Sequence, residues 1–537
     1  MNENMVYGRR LPHRYPFCNA ARVWPFEHSA GTPPRAMCLF GAGSRAGRSA
    51  MASSLSTMNL ASNPNSTRGK LAACLVCGLG VLVGATGALG ETLESALVRA
   101  YHANPTLNAQ RASVRATDGN VPRAKALGRP RVNATADAGI QYSETDSPGG
   151  GSIVRSFPRG VGLQVDQNIF NGNRTDNSIR QAETQVFGAR ETLRNNEQTT
   201  LFDGVTAYMN VLQFTARLSL TRNNIEVLEE QLRQTRDRFN VGEVTRTDVA
   251  QAESRLATAR TGAAIAESDL RNAIAVFRRV IGVEPRSLAP GRPIDRLVPR
   301  TLDAAVAMAL DEHPAVKATQ HAVDAAELQV KITEAELYPR LDVRGTVSQR
   351  ISGTTISGPG SQSRNVGFGT NEASTFTAAA VASLTVPIYE GGEVYARTRQ
   401  AKETVGQRRL EADATRDQVR AAVVSAWGQL EAAKASIVSG QAGVQSAETA
   451  LAGVREEARV GQRTTLDVLN AQQELLNARI NLITAQRDRV VASYNVAQAT
   501  GRLSAASLAL NIERYSPKTH FDQVKDLWGG LRTPDGR

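Results

Sequence analysis

The sequence predicts an internally duplicated, α-dominated chain: a long antiparallel α-helical coiled coil joined to a transmembrane β-barrel to which each chain contributes four strands. Three observations predict it. The region after residue 90 repeats itself at an offset of 209 to 219 residues. Each repeat carries two stretches of about ten residues with period-2 alternation. Each then turns to helical period, and 174–238 does so without a single proline.

The chain has 537 residues and a net charge of +12. The excess is local. Residues 1–90 hold nine Lys and Arg against only Glu3 and Glu27, so they contribute +7 and leave +5 for the rest. Nucleic-acid binding is therefore not the reading of the charge. Residues 1–57 read as an aperiodic extension outside the fold, with Met51 and Met58 each placed to start a signal peptide of normal length. Residues 58–90 read as that signal: Arg68 and Lys70, a charge-free run over 71–90, and small Ala88 and Gly90 before Glu91. A transmembrane helix is the competing reading. Five glycines and the small-residue ending favour cleavage. All four cysteines (Cys18, Cys38, Cys74, Cys77) precede residue 90, which fits export to an oxidising compartment.

The first repeat occupies 91–300 and the second 301–500, with 501–537 as a C-terminal segment. Thr92-Leu93-Glu94 matches Thr301-Leu302-Asp303, and Pro130-Arg131 matches Pro339-Arg340. Ten further residues enter the second repeat before Ile388-Tyr389-Glu390-Gly391, the counterpart of Ile169-Phe170-Asn171-Gly172. Each repeat begins with a short helix ending before Asn104-Pro105 or His313-Pro314, then a second helix ending before Pro130 or Pro339. Strands follow at about 132–143, 161–170, 341–351 and 376–386, separated by Gly/Ser/Pro segments (144–160, 352–374) that read as loops. Gly172, Gly391 and Gly392 break strand from helix. The helix pairs span about 174–280 and 394–500, turning at Gly242 and Gly461. Sixty-five unbroken helical residues reach roughly 98 Å.

Four strands cannot close, and an open edge in lipid leaves backbone groups unpaired. Three chains supply twelve strands, an even number able to close. A soluble hairpin cap on a coiled coil is the competing reading, and it leaves the export signal without a purpose.

The ordered, duplicated motifs resemble the TolC-like outer-membrane efflux proteins. They are VGxxTxxD at Val241-Gly242, Thr245, Asp248 and again at Val460-Gly461, Thr464, Asp467; the run Val468–Leu475; the Gly172 and Gly391-Gly392 breaks; and Tyr515-Ser516-Pro517 with His520-Phe521. The resemblance covers about 91–530. It implies a homotrimer in the cell outer membrane, a helical tunnel in the periplasm, and a belt made by the short helices, 285–300 and 501–530. It implies a passive exit duct for efflux or type I secretion. Its partners would be a periplasmic adaptor, an inner-membrane efflux pump or ABC exporter, and outer-membrane lipid. The alternative is a coiled-coil envelope strut without conductance.

At the two turns, Thr245 and Thr464 read as helix N-caps with Asp248 and Asp467 completing capping boxes. The resemblance adds that Asp467 lines a three-fold constriction as an acidic ring. A second family aspartate one turn on is replaced here by Asn470. It adds that Asp248 and Arg463 link neighbouring helix pairs. The tyrosine that shares the link is Ala458 here, next to Arg459. The tips Val241-Gly242-Glu243 and Arg459-Val460-Gly461-Gln462 are the expected adaptor-docking surface, with plain turn packing as the other explanation. No catalytic constellation, cofactor motif or metal-ligand spacing is found. His102, His313, His321 and His520 are scattered, and Gly-rich 148–151 sits between strands rather than before a helix.

Overall fold

The computed structural model describes residues 91–146, 148, 152–357, 372–534 and 536. The expected extension and signal (1–57, 58–90) lie outside the described residues.

The first repeat runs α1 (Leu93–Ala103), α2 (Pro105–Asp118), α3 (Asn120–Lys125), β1 (Arg131–Ala138), β2 (Gln141–Thr145), β3 (Ser152–Asn171), α4 (Arg174–Asn240) and α5 (Arg246–Ile281). The second runs α6 (Leu302–Glu312), α7 (Pro314–Glu334), β4 (Arg340–Ser357), β5 (Glu372–Thr385), α8 (Glu393–Arg459) and α9 (Thr465–Ala499), before a C-terminal α10 (Pro517–Val524). Thr92 and Thr301 cap α1 and α6, while Asn104 and His313 cap α2 and α7 ahead of a proline at the first helical position.

The strands depart from expectation in extent. β3 begins at Ser152, β4 continues to Ser357 and β5 starts at Glu372, so much of the two Gly/Ser/Pro segments is paired strand. Backbone pairing with a neighbour overrides composition here. The stretch expected at 132–143 is two strands, β1 and β2, both paired antiparallel with β3 and interrupted at Gly139-Ile140. The interruption lies beside Pro158, whose carbonyl accepts from the Gly139 N–H at 2.8 Å. A proline has no N–H to give a ladder, so the central strand tolerates it where its neighbour pauses.

Strand order is β1-β3-β4-β5, with β2 extending β1. The register sorts side chains by face. Val132 is level with Val165, Leu163 with Val347, and Leu341 with Leu384. On the other face Arg344 binds Asp166 at 2.7 Å, Arg350 meets Asp137 at 3.3 Å, and Asn168 donates to Asp342 at 2.8 Å. From the helix junction as far as Val161 one face is apolar and the other is laced with ion pairs, the pattern of a lipid-facing wall around a polar lumen, and beyond it Arg159 and Glu372 pair on the first face at 2.7 Å.

α4 and α8 are 67 residues each, about 100 Å of helix. The returning α5 and α9 have 36 and 35 residues and cover only the half away from the sheet. Toward the sheet, α7 packs against both α4 and α8, and α2 and α3 against α4. Midway lies the largest core, where Leu97, Tyr101, Leu107, Leu201, Tyr208, Phe277, Tyr494 and Leu503 are buried together. The Tyr208 hydroxyl lies 2.7 Å from the Glu91 carbonyl and 2.6 Å from that of Ala289, and burial pushes it up to about 12. Smaller clusters sit near the turns (Leu228, Leu232, Ala252, Leu256, Leu469) and near the sheet (Val121, Ala124, Ala182, Val186).

Candidate functional site at the helical tips

Both helix pairs turn on a left-handed glycine, φ +81° at Gly242 and +79° at Gly461. The Glu243 N–H returns to the Arg238 carbonyl and the Gln462 N–H to that of Glu457, each at 2.9 Å. Beyond each turn a threonine caps the next helix. Asp248 Oδ2 accepts from the Thr245 N–H at 2.9 Å and its hydroxyl at 2.7 Å, and Asp467 Oδ2 does the same for Thr464 at 3.0 and 2.9 Å. Thr245 Oγ1 accepts in turn from the Asp248 N–H, and Thr464 Oγ1 from that of Asp467. These are complete capping boxes, so each carboxylate has a structural task. The Thr464 hydrogen bonds, with the charge of Arg463 adding to them, hold the Asp467 carboxyl below its ordinary value.

The two tips are braced by ion pairs of opposite direction. Arg238 grips Glu243 through two nitrogens at 3.0 and 2.9 Å. Arg463 is bound by Glu457 at 2.9 Å, and this pairing raises its own value. Within one chain, therefore, Arg463 and Asp248 are each engaged locally and are not brought together. Arg459 pairs with Glu456 at 3.0 Å. Val241 and Val460 project outward, 78% and 71% exposed.

A link that no sequence motif announces joins the two helix pairs. Arg255 of α5 donates to the Asn470 side-chain oxygen of α9 at 2.7 Å. Asn470 is one turn from Asp467, so this bond lies next to the capped start of α9. Its signal could only have been spatial, since 255 and 470 are not equivalent in the duplication. Leu469, the preceding residue, is buried against Leu228, Leu232 and Leu256 and seats α9 on the first helix pair. Beside this seam a groove of about 590 Å³ runs between α4, α8 and α9, lined by Glu226, Gln234, Arg238, Arg455, Arg459 and Gln472. At the far end of the tunnel helices, Gly172, Gly391 and Gly392 all have positive φ, joining strand to helix. Among the described residues no cluster of His, Cys, Asp and Glu could hold a metal, and no helix is long and apolar enough to cross a membrane.

The profile of the family described as "Outer membrane efflux protein" matches residues 96–283 and 305–502, which is both halves of the duplication. The chain belongs to that family. Members of the outer membrane efflux protein family similar to this chain include the outer membrane efflux protein BepC of Brucella suis, 43% identical over 470 residues, covering 87% of this chain and 98% of the relative. The outer membrane protein TolC of Escherichia coli is 28% identical over 433 residues, covering 78% and 84%. Among solved structures, the CmeC outer membrane channel of Campylobacter jejuni superimposes with a TM-score of 0.66 at 16% identity, over 81% of this chain and 89% of that one, which shows the shared fold. As an outer membrane efflux protein the chain is a channel of the cell outer membrane, its sheet in the bilayer and its helices forming a tunnel that serves as a passive exit duct.

Proposed function

We propose that three copies close their sheets edge to edge into one twelve-stranded barrel, continued by a three-fold tunnel whose far end is gated by the α4–α5 and α8–α9 tips. The observation that carries this reading is the sheet itself: between the helix junction and Val161 it is apolar on one face and ion-paired on the other, and it is open at β1/β2 and at β5. Lipid does not tolerate such open edges, and closure by symmetry removes them.

At the gate, three Asp467 carboxylates converge and favour cations, because like charges around a narrow aqueous constriction sum their field. Asp248 and Arg463 exchange their local partners for each other across neighbouring subunits, holding the closed state. The exposed Val241 and Val460, flanked by Glu243, Arg459 and Gln462, dock a periplasmic adaptor. The adaptor in turn couples the duct to an inner-membrane efflux pump or ABC exporter, which supplies the energy. No residue here is assigned chemistry on cargo; the family forms channels.

Reconstitution tests the reading. Detergent-extracted protein should cross-link to trimers and no further, and should conduct ions in a planar bilayer. A monomer that remains membrane-inserted, or a trimer without conductance, would overturn it, the second outcome favouring the strut.

A further inference from the structure

The C-terminal segment runs along α4 toward the sheet. It leaves the belt where the Ala505 N–H donates to Glu197 of α4 at 2.9 Å. His520 of α10 then meets buried Asp118 at 2.8 Å, and Phe521 packs by the cluster of Val121, Ala124, Ala182 and Val186. Asp526 finally binds Lys125 at 2.6 Å. These partners measure height along α4. Glu197 to Ala182 is about 22 Å of helix, and Ala182 lies only about 12 Å from the start of α4 at Arg174, where the sheet ends. Lys125 precedes β1 by six residues. The tail thus ends at the rim of the membrane-spanning sheet.

Among the described residues nothing covers the apolar side chains it carries there. Trp528 is 85% exposed, Leu531 is fully exposed and Leu527 is partly so. Around them stand four cations against two carboxylates: Lys125 pairs with Asp526 and Lys525 with Asp522, Arg129 also acts on Asp526, and Arg532 follows Leu531.

We propose that Leu527–Arg532 is a membrane anchor seated at the phospholipid headgroup layer of the periplasmic leaflet, with Trp528 and Leu531 inserted and the basic residues on lipid phosphates. The patch is tied through Asp526 to Lys125, six residues before the first strand, near the depth where tryptophan is favoured because its ring is apolar and its N–H polar. Its cationic collar matches an anionic, phosphate-rich surface. It does not match a second copy of itself, since three identical basic patches repel. In a trimer, three such anchors would fix the height and tilt of the barrel in the bilayer.

The test uses full-length protein in vesicles of phosphatidylethanolamine and phosphatidylglycerol, with Trp24→Phe and Trp427→Phe leaving Trp528 as the single fluorophore. Lipids brominated near the headgroup should quench Trp528 more than lipids brominated near the chain ends. Phe376→Trp, with Trp528→Phe in the same background, reports sheet insertion separately. Quenching at 376 without quenching at 528 overturns the anchor and leaves the barrel standing. Blue-shifted yet unquenched Trp528 emission overturns it in favour of burial against a neighbouring chain. Absence of quenching at both positions overturns the anchor together with the membrane insertion on which it rests.

Discussion

Alanine placed at Gly172 and at Gly391 separates backbone strain from steric clash at the junction of barrel and tunnel. The two glycines are equivalent in the duplication and have the same φ, +65°. Alanine in that conformation costs about 1–2 kcal/mol at either site. The surroundings then differ. A Cβ at Gly172 would lie 2.7 Å from Tyr338 Cβ and 2.8 Å from the Ala335 carbonyl oxygen, whereas at Gly391 it meets nothing within 4 Å. Tyr338 Cβ and the Ala335 carbonyl are rigid parts of the chain, so the backbone itself must move, at a further cost of about 1–3 kcal/mol. Gly172→Ala should therefore lose about 2–5 kcal/mol per chain and Gly391→Ala only about 1–2. Thermal dissociation of the detergent-extracted trimer, followed on unboiled gels and by tryptophan fluorescence, reads the difference, with Gly172→Ala also lowering trimer yield. Equal midpoints for the two variants, or a larger loss at Gly391, would refute the close approach between the Gly172 turn and the end of α7.

Asp467→Asn should assemble normally, because an amide oxygen can still accept from the Thr464 N–H, but should reduce cation selectivity and divalent-ion block in single-channel recordings. Within one chain hydrogen bonds to Thr464 hold the Asp467 carboxyl below the ordinary value, which opposes the mutual repulsion that three converging carboxylates add. Asp248→Asn should instead raise conductance by loosening closure, with selectivity unchanged. Asn470→Asp should shift the reversal potential little, because Arg255 neutralises the new carboxylate, and more when combined with Arg255→Gln; equal shifts would show that the Arg255 bond does not form at the entrance. Glu197 is raised by burial despite accepting from Ala505, so its ionised form penalises the belt as pH rises through the raised value. Glu197→Gln should keep that hydrogen bond and lose this decline in thermal stability, which begins as pH rises past the ordinary carboxylate value and levels off above the raised one, and which melting curves at several pH values would detect.

The order of elements, the glycine turns and the threonine–aspartate caps were legible in the sequence because each depends on residues within a few positions of one another, and the duplication because those local patterns recur in the same order 209 to 219 residues on. So was the need for closure, since four short alternating stretches cannot satisfy their own edges in lipid. Tertiary structure decided the rest. The strands at Ser152–Arg159 and Ser352–Ser357 look like loops by composition, and only the partner strand makes them sheet. Arg463 is bound by Glu457 and Asn470 by Arg255, pairings set by how side chains fold over a turn and how two helix pairs meet. The path of the C-terminal segment is fixed by His520 on Asp118 and Asp526 on Lys125, about 400 residues away in the chain. Local chemistry writes periodicity and caps into adjacent residues. Partners brought together across such distances leave no periodic trace, because the free energy that pairs them arises only when the packed helices set them side by side.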